Sequence, residues 1–163
     1  MSSSRGRLVI GVIGAEAADA AHATLAHEVG RELAERGHTL VCGGRGGVMR
    51  EACRGAREAG GLTVGILPGD DASEANEFVD VAVVTGLGFA RNTIIARTAE
   101  ALVAVGGGYG TLSEIAFGLR AGRPVIAIGS WELRDGGGRE APIARVSSAR
   151  EAVDACERLA RPA

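Results

Sequence analysis

The sequence predicts an α/β fold, in which a single domain is built on a mostly parallel sheet of about seven strands with helices on both faces. Short apolar segments alternate with helical segments along the whole chain, and such strand–helix–strand units form parallel sheets. The chain has 26 glycines, where average usage gives about 11, and they concentrate at strand ends. With 46% hydrophobic and only 3% aromatic residues among 163, we expect one aliphatic core.

Four strands and two helices are predicted in the first half of the chain. The strands are short apolar runs bounded by turn residues, and both helices end at glycine. The predicted strands cover residues 8–13, 39–42, 62–67 and 81–84. The predicted helices cover residues 17–36 and 48–59, and an acidic loop at residues 70–80 precedes the fourth strand.

Three strands and three helices are predicted in the second half. A helix at 89–100 leads into an apolar strand at 101–105, and the next helix opens at Thr111 with apolar residues along one face. A strand at 124–128, a glycine-rich loop at 134–140 and an edge strand at 143–146 follow. Ser148 and Glu151 have the spacing of a capping box, which starts the last helix. We expect residues 1–7 to form a flexible polar tail and residues 8–163 to form the single domain.

Composition argues against several classes of partner. The formal net charge of −2 gives no bulk attraction to nucleic acid. No apolar run reaches the roughly 18 residues that a membrane-spanning helix needs, so we expect no membrane partner. The first residues lack the layout of a secretion signal, which predicts a cytoplasmic protein.

The sequence also predicts no metal and no cofactor. Cys42, Cys53 and Cys156 are widely spaced and form no C-x-x-C pair. All 18 basic residues are arginine, so a pyridoxal phosphate Schiff base and a Walker A phosphate loop both lack the lysine that they require. The first turn, at residues 11–15, does not match the dinucleotide fingerprint, which argues against a nicotinamide oxidoreductase.

Residues 106–111, which we name the glycine turn, are the strongest candidate site. Four glycines in five positions lie between the strand at 101–105 and a helix start. Backbone N–H groups at a helix start are unpaired and lie at the positive end of the helix dipole, so they bind phosphate. A tight connection is the alternative, but one or two glycines suffice for that. The predicted phosphate-binding residues are Gly107, Gly108, Tyr109, Gly110 and Thr111.

Glu114 has two interpretations. Thr111 and Glu114 have capping-box spacing, in which the glutamate bonds back to the threonine backbone, and spacing alone favours this structural role. A carboxylate at this position would also lie within one helical turn of a bound phosphate, close enough to contact an attached sugar.

Further candidates follow neighbouring strands, whose carboxyl ends should gather at one edge of the sheet. The segment at 43–47 is a second anion-binding helix start or only a tight turn, and Arg45 reaches either a ligand or solvent. Arg91 opens a helix, where a cation is unfavourable for the helix dipole. That mismatch indicates a ligand role, and an exposed surface arginine is the alternative.

These residues together resemble the LOG (LONELY GUY) superfamily, whose members are often mislabelled as lysine decarboxylases. The motif of that superfamily, P-G-G-x-G-T-x-x-E with an upstream arginine, reads G-G-G-Y-G-T-L-S-E at residues 106–114, and Arg91 stands upstream. Residues 43–50 resemble the first glycine-rich loop of the superfamily, and residues 60–68 resemble the strand that follows. The likeness spans roughly residues 8–128.

The resemblance implies a Rossmann-like fold and a homodimer or higher homo-oligomer. Active members cleave the N-glycosidic bond of nucleoside 5'-monophosphates, among them the cytokinin ribotides. Carried over, the glycine turn would hold the 5'-phosphate, and Arg91 would hold the substrate and steady the departing base. Glu114 would stabilise positive charge at the anomeric carbon or orient water. The further predicted ligand contacts are Gly14, Gly43, Gly44, Arg45 and Asn92.

Two departures from the superfamily motif leave two functions open. The leading proline is Gly106 here, and the superfamily's H-x-R-K reads F-A-R-N at residues 89–92. Both changes resemble a branch that includes molybdenum cofactor carrier proteins, which bind a phosphorylated pterin without transforming it. A phosphoribohydrolase that uses Arg91 and Glu114 is slightly favoured, because both residues are present. The expected partner is a small phosphorylated molecule, either an AMP-like nucleotide or a phosphorylated pterin.

Overall fold

A computed structural model describes residues 6–160 and contains one sheet of seven strands, all of them parallel. The strands are β1 (Val9–Gly14), β2 (Thr39–Cys42), β3 (Thr63–Leu67), β4 (Val81–Val84), β5 (Ala101–Val105), β6 (Val125–Ile128) and β7 (Ile143–Arg145). The helices are α1 (Ala20–Glu35), α2 (Val48–Glu58), α3 (Asn92–Thr98), α4 (Tyr109–Arg120) and α5 (Ala149–Leu159). Short 3-10 turns occur at Ala72–Glu74 and Gly88–Arg91. The predicted α/β, Rossmann-like fold is therefore confirmed.

The order of the strands reverses at the centre of the sheet. The order across the sheet is β4-β3-β2-β1-β5-β6-β7, so the chain moves outward from β1, returns beside it at β5 and then moves outward on the other side. The register pairs Gly14 at the end of β1 with Val105 at the end of β5. In open parallel sheets, ligands bind at the carboxyl ends of strands where this reversal occurs.

Two aliphatic cores lie on opposite faces of the sheet. Helices α1, α2 and α5 cover one face, and α3 and α4 cover the other. Glycine lets α1 and α2 approach each other backbone to backbone. A Cβ on Gly30 would lie 1.9 Å from the carbonyl oxygen of Ala52, and a Cβ on Gly55 would lie 2.0 Å from that of His27. This close packing positions α2, which contributes Met49 to the site described below.

Three helix starts differ from the sequence prediction. Helix α1 begins at Ala20 rather than residue 17, because Asp19 accepts a hydrogen bond from the His22 N–H and caps it. The helix predicted at 89–100 is a 3-10 turn followed by a short α3, which ends where Ala99 becomes extended to enter β5. Helix α4 begins at Tyr109, two residues before the predicted start at Thr111.

Several other expectations can be compared with the described residues. Ser148 caps α5 by accepting the Glu151 N–H, as the capping box predicts, but the Glu151 carboxylate returns to the N–H of Ser147. The three cysteines are free thiols and all are buried. Within residues 6–160, no helix has the length and hydropathy that a bilayer crossing requires. Residues 1–5 of the predicted tail and residues 161–163 of the predicted domain lie outside the described residues.

Candidate functional site

A cavity of about 260 Å³ opens at the carboxyl ends of β1 and β5, where the strand order reverses. Seven of the residues predicted from the sequence line it: Gly14, Arg91, Asn92, Gly108, Gly110, Thr111 and Glu114. They come from the end of β1, the residues at the start of α3, and the N-cap and first two turns of α4. The topology thus brings together residues that are up to 100 positions apart in the chain.

The glycine turn has a backbone shape that only glycine adopts without strain. Gly106 and Gly107 have φ angles of 55° and 114°, in the region that side chains with a Cβ disfavour. A Cβ on Gly107 would also lie 2.5 Å from the side chain of Thr111. Gly108 is the N-cap residue of α4 and provides no side-chain cap.

Most N–H groups of the glycine turn have no acceptor in the part of the chain that the structure describes. The Gly106 N–H donates to the carbonyl of Ile128 (3.0 Å), whereas the N–H groups of residues 107–111 find no acceptor within residues 6–160. They lie at the amino end of α4, where the helix dipole adds partial positive charge. Such a set of donors is suited to an anion with several acceptor oxygens.

Glu114 lies in the cavity wall and is not a capping residue. Because α4 begins at Tyr109, Glu114 is in its second turn, and the capping-box interpretation is wrong. The side chain is only 6% exposed. Burial raises the pKa of the Glu114 carboxyl to about 8, although the nearby Arg91 charge acts in the opposite direction.

Arg91 is a buried cation that has no ion-pair partner within residues 6–160. Its side chain is 8% exposed, so the surface interpretation is wrong, and its Nε–H has no acceptor among the described residues. Burial lowers the pKa of Arg91, while the charge of Glu114 raises it from beyond hydrogen-bonding distance. An uncompensated buried charge costs on the order of several kcal/mol, which an anionic ligand would offset.

Glycine at position 43 leaves room for the Arg91 guanidinium. A Cβ on Gly43 would lie 2.0 Å from Nη1 of Arg91. Gly43 therefore lies against the arginine, and neither Gly43 nor Gly44 is among the cavity-lining residues. The Gly44 N–H is directed to the sulfur of Cys42 (3.3 Å), so it is not free for a ligand.

The remaining predicted residues lie around the cavity in different ways. Asn92 is buried and donates to the hydroxyl of Ser113 (3.0 Å), which links α3 to α4. Arg45 forms an ion pair with Glu16 (2.6 Å) at the rim. Tyr109 is 83% exposed and packs against Trp131, with ring centroids 5.9 Å apart.

Four cavity residues were not predicted as site residues: Ala15, Glu16, Met49 and Phe89. Two of them adjoin predicted positions, since Glu16 follows the first turn and Phe89 precedes Arg91 by two residues. Phe89 is 89% exposed although it is a large apolar residue. Its proximity to Arg91 in the sequence was the one signal that pointed to it.

Comparison with known proteins identifies the family of the chain. The profile of the SLOG cluster4 family matches residues 7–155. A Mycobacterium tuberculosis protein named cytokinin riboside 5'-monophosphate phosphoribohydrolase is 33% identical over 69% of this chain, which spans 65% of that protein's length.

Two solved structures are similar over almost the whole chain. One is the molybdenum cofactor binding protein from Rippkaea orientalis, with 35% identity, a TM-score of 0.85 and coverage of 94% of this chain and 97% of that one. The other is the molybdenum cofactor carrier protein from Chlamydomonas reinhardtii, with 36% identity, a TM-score of 0.82 and coverage of 94% and 98%. The resemblance drawn from the sequence is confirmed, and the chain belongs to the SLOG cluster4 family.

Proposed function

We propose that the chain binds a small phosphorylated ligand with its phosphate at the glycine turn. The observation that carries the proposal is the set of unpaired N–H groups at residues 107–111 beside a cavity. Arg91 adds a buried positive charge that contacts no carboxylate of residues 6–160. The volume of about 260 Å³ is just below the roughly 300–1,000 Å³ of drug-sized ligand sites, which favours a mononucleotide-sized molecule over a dinucleotide.

The proposed reaction is cleavage of the N-glycosidic bond of a nucleoside 5'-monophosphate. Water adds to the anomeric carbon, the bond breaks with its electron pair leaving on the base, and the proton from water ends on the base. The ribose carries positive charge in the transition state, which a nearby carboxylate stabilises. Glu114 in its ionised form provides that carboxylate, and Arg91 holds the substrate and stabilises the departing base.

A second candidate function is a carrier for a phosphorylated pterin. The observation that supports it is that two solved structures, of a molybdenum cofactor binding protein and a molybdenum cofactor carrier protein, match 94% of this chain at 35% and 36% identity. The glycine turn would bind the phosphate in the same way, and no bond of the ligand would break.

Base release from AMP and other 5'-monophosphates tests the enzymatic proposal. We expect the wild-type chain to release base and ribose 5-phosphate, and Glu114→Ala to lose the reaction while still binding inorganic phosphate. The matched control is Glu35→Gln, which changes a half-exposed carboxylate on α1 that pairs with Arg31 (3.7 Å). Phosphate binding without base release at high protein concentration would support the carrier, and no binding at all would contradict both candidates.

A further inference from the structure

The segment after β6 holds the carbonyl groups of the glycine turn. The Ser130 hydroxyl donates to the carbonyl oxygen of Gly106. The Trp131 indole N–H donates to the carbonyl oxygen of Gly108 at 3.0 Å, which also accepts the Leu112 N–H at 3.0 Å. The carbonyls at both ends of residues 106–108 are therefore paired with protein donors, while the N–H groups that follow them are free.

This pairing fixes the direction of two N–H groups. In a planar trans peptide the C=O of one residue and the N–H of the next point in opposite directions. Holding the Gly106 carbonyl toward Ser130 directs the Gly107 N–H away from Ser130. Holding the Gly108 carbonyl toward Trp131 directs the Tyr109 N–H away from Trp131 in the same manner.

We propose that Ser130 and Trp131 are positioning residues that orient the Gly107 and Tyr109 N–H groups toward the bound phosphate. This inference rests on the proposed function, because it assigns an orienting role within the same site. Consecutive glycines are conformationally free, so loss of the Ser130 bond frees the peptide unit that joins Gly106 and Gly107 to rotate. Loss of the Trp131 bond leaves the unit that joins Gly108 and Tyr109 held by the Leu112 N–H alone. Preorganised donors bind an anion more tightly than donors that must first be ordered.

The contact between Tyr109 and Trp131 allows ligand binding at the glycine turn to be followed by fluorescence. Their rings are 5.9 Å apart at an interplanar angle of 33°. Trp131 is the single tryptophan of the chain, so the tryptophan fluorescence comes from a side chain that contacts the glycine turn. We expect inorganic phosphate or AMP to change this fluorescence on binding.

The test compares Ser130→Ala, Ser130→Thr and Trp131→Phe with the wild-type chain, using inorganic phosphate and AMP as probes. Ser130→Thr keeps the hydroxyl, and Trp131→Phe keeps an aromatic ring but removes the N–H donor. The matched control is Thr24→Val, which deletes a bond of the same kind from a hydroxyl to the Ala20 carbonyl within α1 (2.9 Å). Calorimetry gives the dissociation constants, and amide NMR shifts report each N–H separately.

We expect Ser130→Ala and Trp131→Phe each to weaken phosphate binding about 3- to 10-fold, and Ser130→Thr and Thr24→Val to bind as wild type. The phosphate-induced shift should diminish at Gly107 in Ser130→Ala and at Tyr109 in Trp131→Phe, while Gly110 responds in both. Wild-type affinity and intact shifts in both variants would overturn the inference and leave the proposed function standing. A wild-type chain that binds neither probe would overturn both.

Discussion

At the scale of single residues, we expect Arg91 to contribute to ligand binding but not to the stability of the fold. The cation is buried without a hydrogen-bonded partner on Nε, so Arg91→Met removes a desolvated charge while keeping much of the side-chain volume. We expect the melting temperature to stay the same or rise, and AMP binding to weaken more than about 10-fold, because the ligand loses a charge-assisted hydrogen bond. Thermal unfolding and calorimetry measure both quantities.

Arg97→Met is the matched control for this variant. Arg97 lies in the last turn of the same helix, α3, and its side chain is exposed. Its substitution should leave AMP binding unchanged. A fall in stability of Arg91→Met with unchanged AMP binding would mean that Arg91 has a structural role instead.

The raised pKa of Glu114 makes protein stability depend on pH. Because the folded-state pKa is about 8 against an ordinary value of 4.5, the folded protein holds a proton that the unfolded chain releases. The stabilisation is complete below about pH 4.5 and is lost as the pH rises through 8. In urea unfolding, the free energy of unfolding of the wild type should fall by an amount on the order of 2–4 kcal/mol between pH 5 and pH 9. The Glu114→Gln variant should not show this fall. An equal loss in both proteins would contradict this assignment.

The same pKa predicts the pH dependence of the proposed reaction. The carboxylate form of Glu114 is the one that stabilises a ribosyl cation, and it forms as the pH rises. We expect kcat/KM for base release from AMP, which reports groups of the free enzyme, to increase with a midpoint near pH 8. Initial rates from pH 6 to pH 10 measure this dependence. A decrease in kcat/KM as the pH rises through this range would show that the protonated carboxyl is the active form.

At the scale of elements, the glycines of the glycine turn differ in how much the fold depends on them. Gly107 has a conformation and a close contact that require glycine, and Gly110 does not. Gly107→Ala forces a Cβ to within 2.5 Å of Thr111 at a φ of 114°, whereas a Cβ on Gly110 meets nothing within 4 Å. We expect Gly107→Ala to lower the free energy of unfolding by about 1–3 kcal/mol, and Gly110→Ala, which places alanine in a helix, to leave it unchanged or slightly higher. Chemical denaturation of both variants makes the comparison, and equal destabilisation would contradict it.

Helix starts show where sequence reasoning succeeds and where it fails. The start of α5 was predictable because Ser148 provides a side-chain cap, which is a local feature of the sequence. The start of α4 was not, because Gly108 begins the helix without a side-chain cap and the capping rule selects Thr111 instead. That two-residue error assigned Glu114 to a capping box, although its carboxyl lies in the cavity wall.

The burial of Arg91 could not be predicted from the sequence, because it depends on a distant segment of the chain. Its position at a helix start was visible in the pattern, but its environment depends on Gly43, which lies 48 positions earlier and leaves space for the guanidinium. Only the pairing of β1 with both β2 and β5 brings these segments together. Strand positions were largely predictable because each strand is a distinct apolar run, while contacts between distant segments were not.

At the scale of the whole molecule, one edge of the sheet exposes large apolar side chains to solvent. Edge strand β4 and the turn after it carry large apolar side chains that are 39–89% exposed: Val81, Val83, Val84, Leu87 and Phe89. Exposed apolar side chains of this size are typical of an interaction site. Phe89 also lines the cavity, so an interface over this patch would border the ligand site.

The family resemblance implies a homo-oligomer, and we predict that this patch joins two copies of the chain. Sedimentation should give a mass at least twice that of one chain for the wild type. Val83→Lys places a charge in the patch and should reduce the mass to that of one chain, because burying an unpaired ammonium at an apolar interface is unfavourable. Leu159→Lys, at an equally exposed position (39%) at the end of α5, should keep the wild-type mass. A wild type that sediments as one chain would contradict the predicted homo-oligomer, and an oligomeric Val83→Lys would move the interface elsewhere.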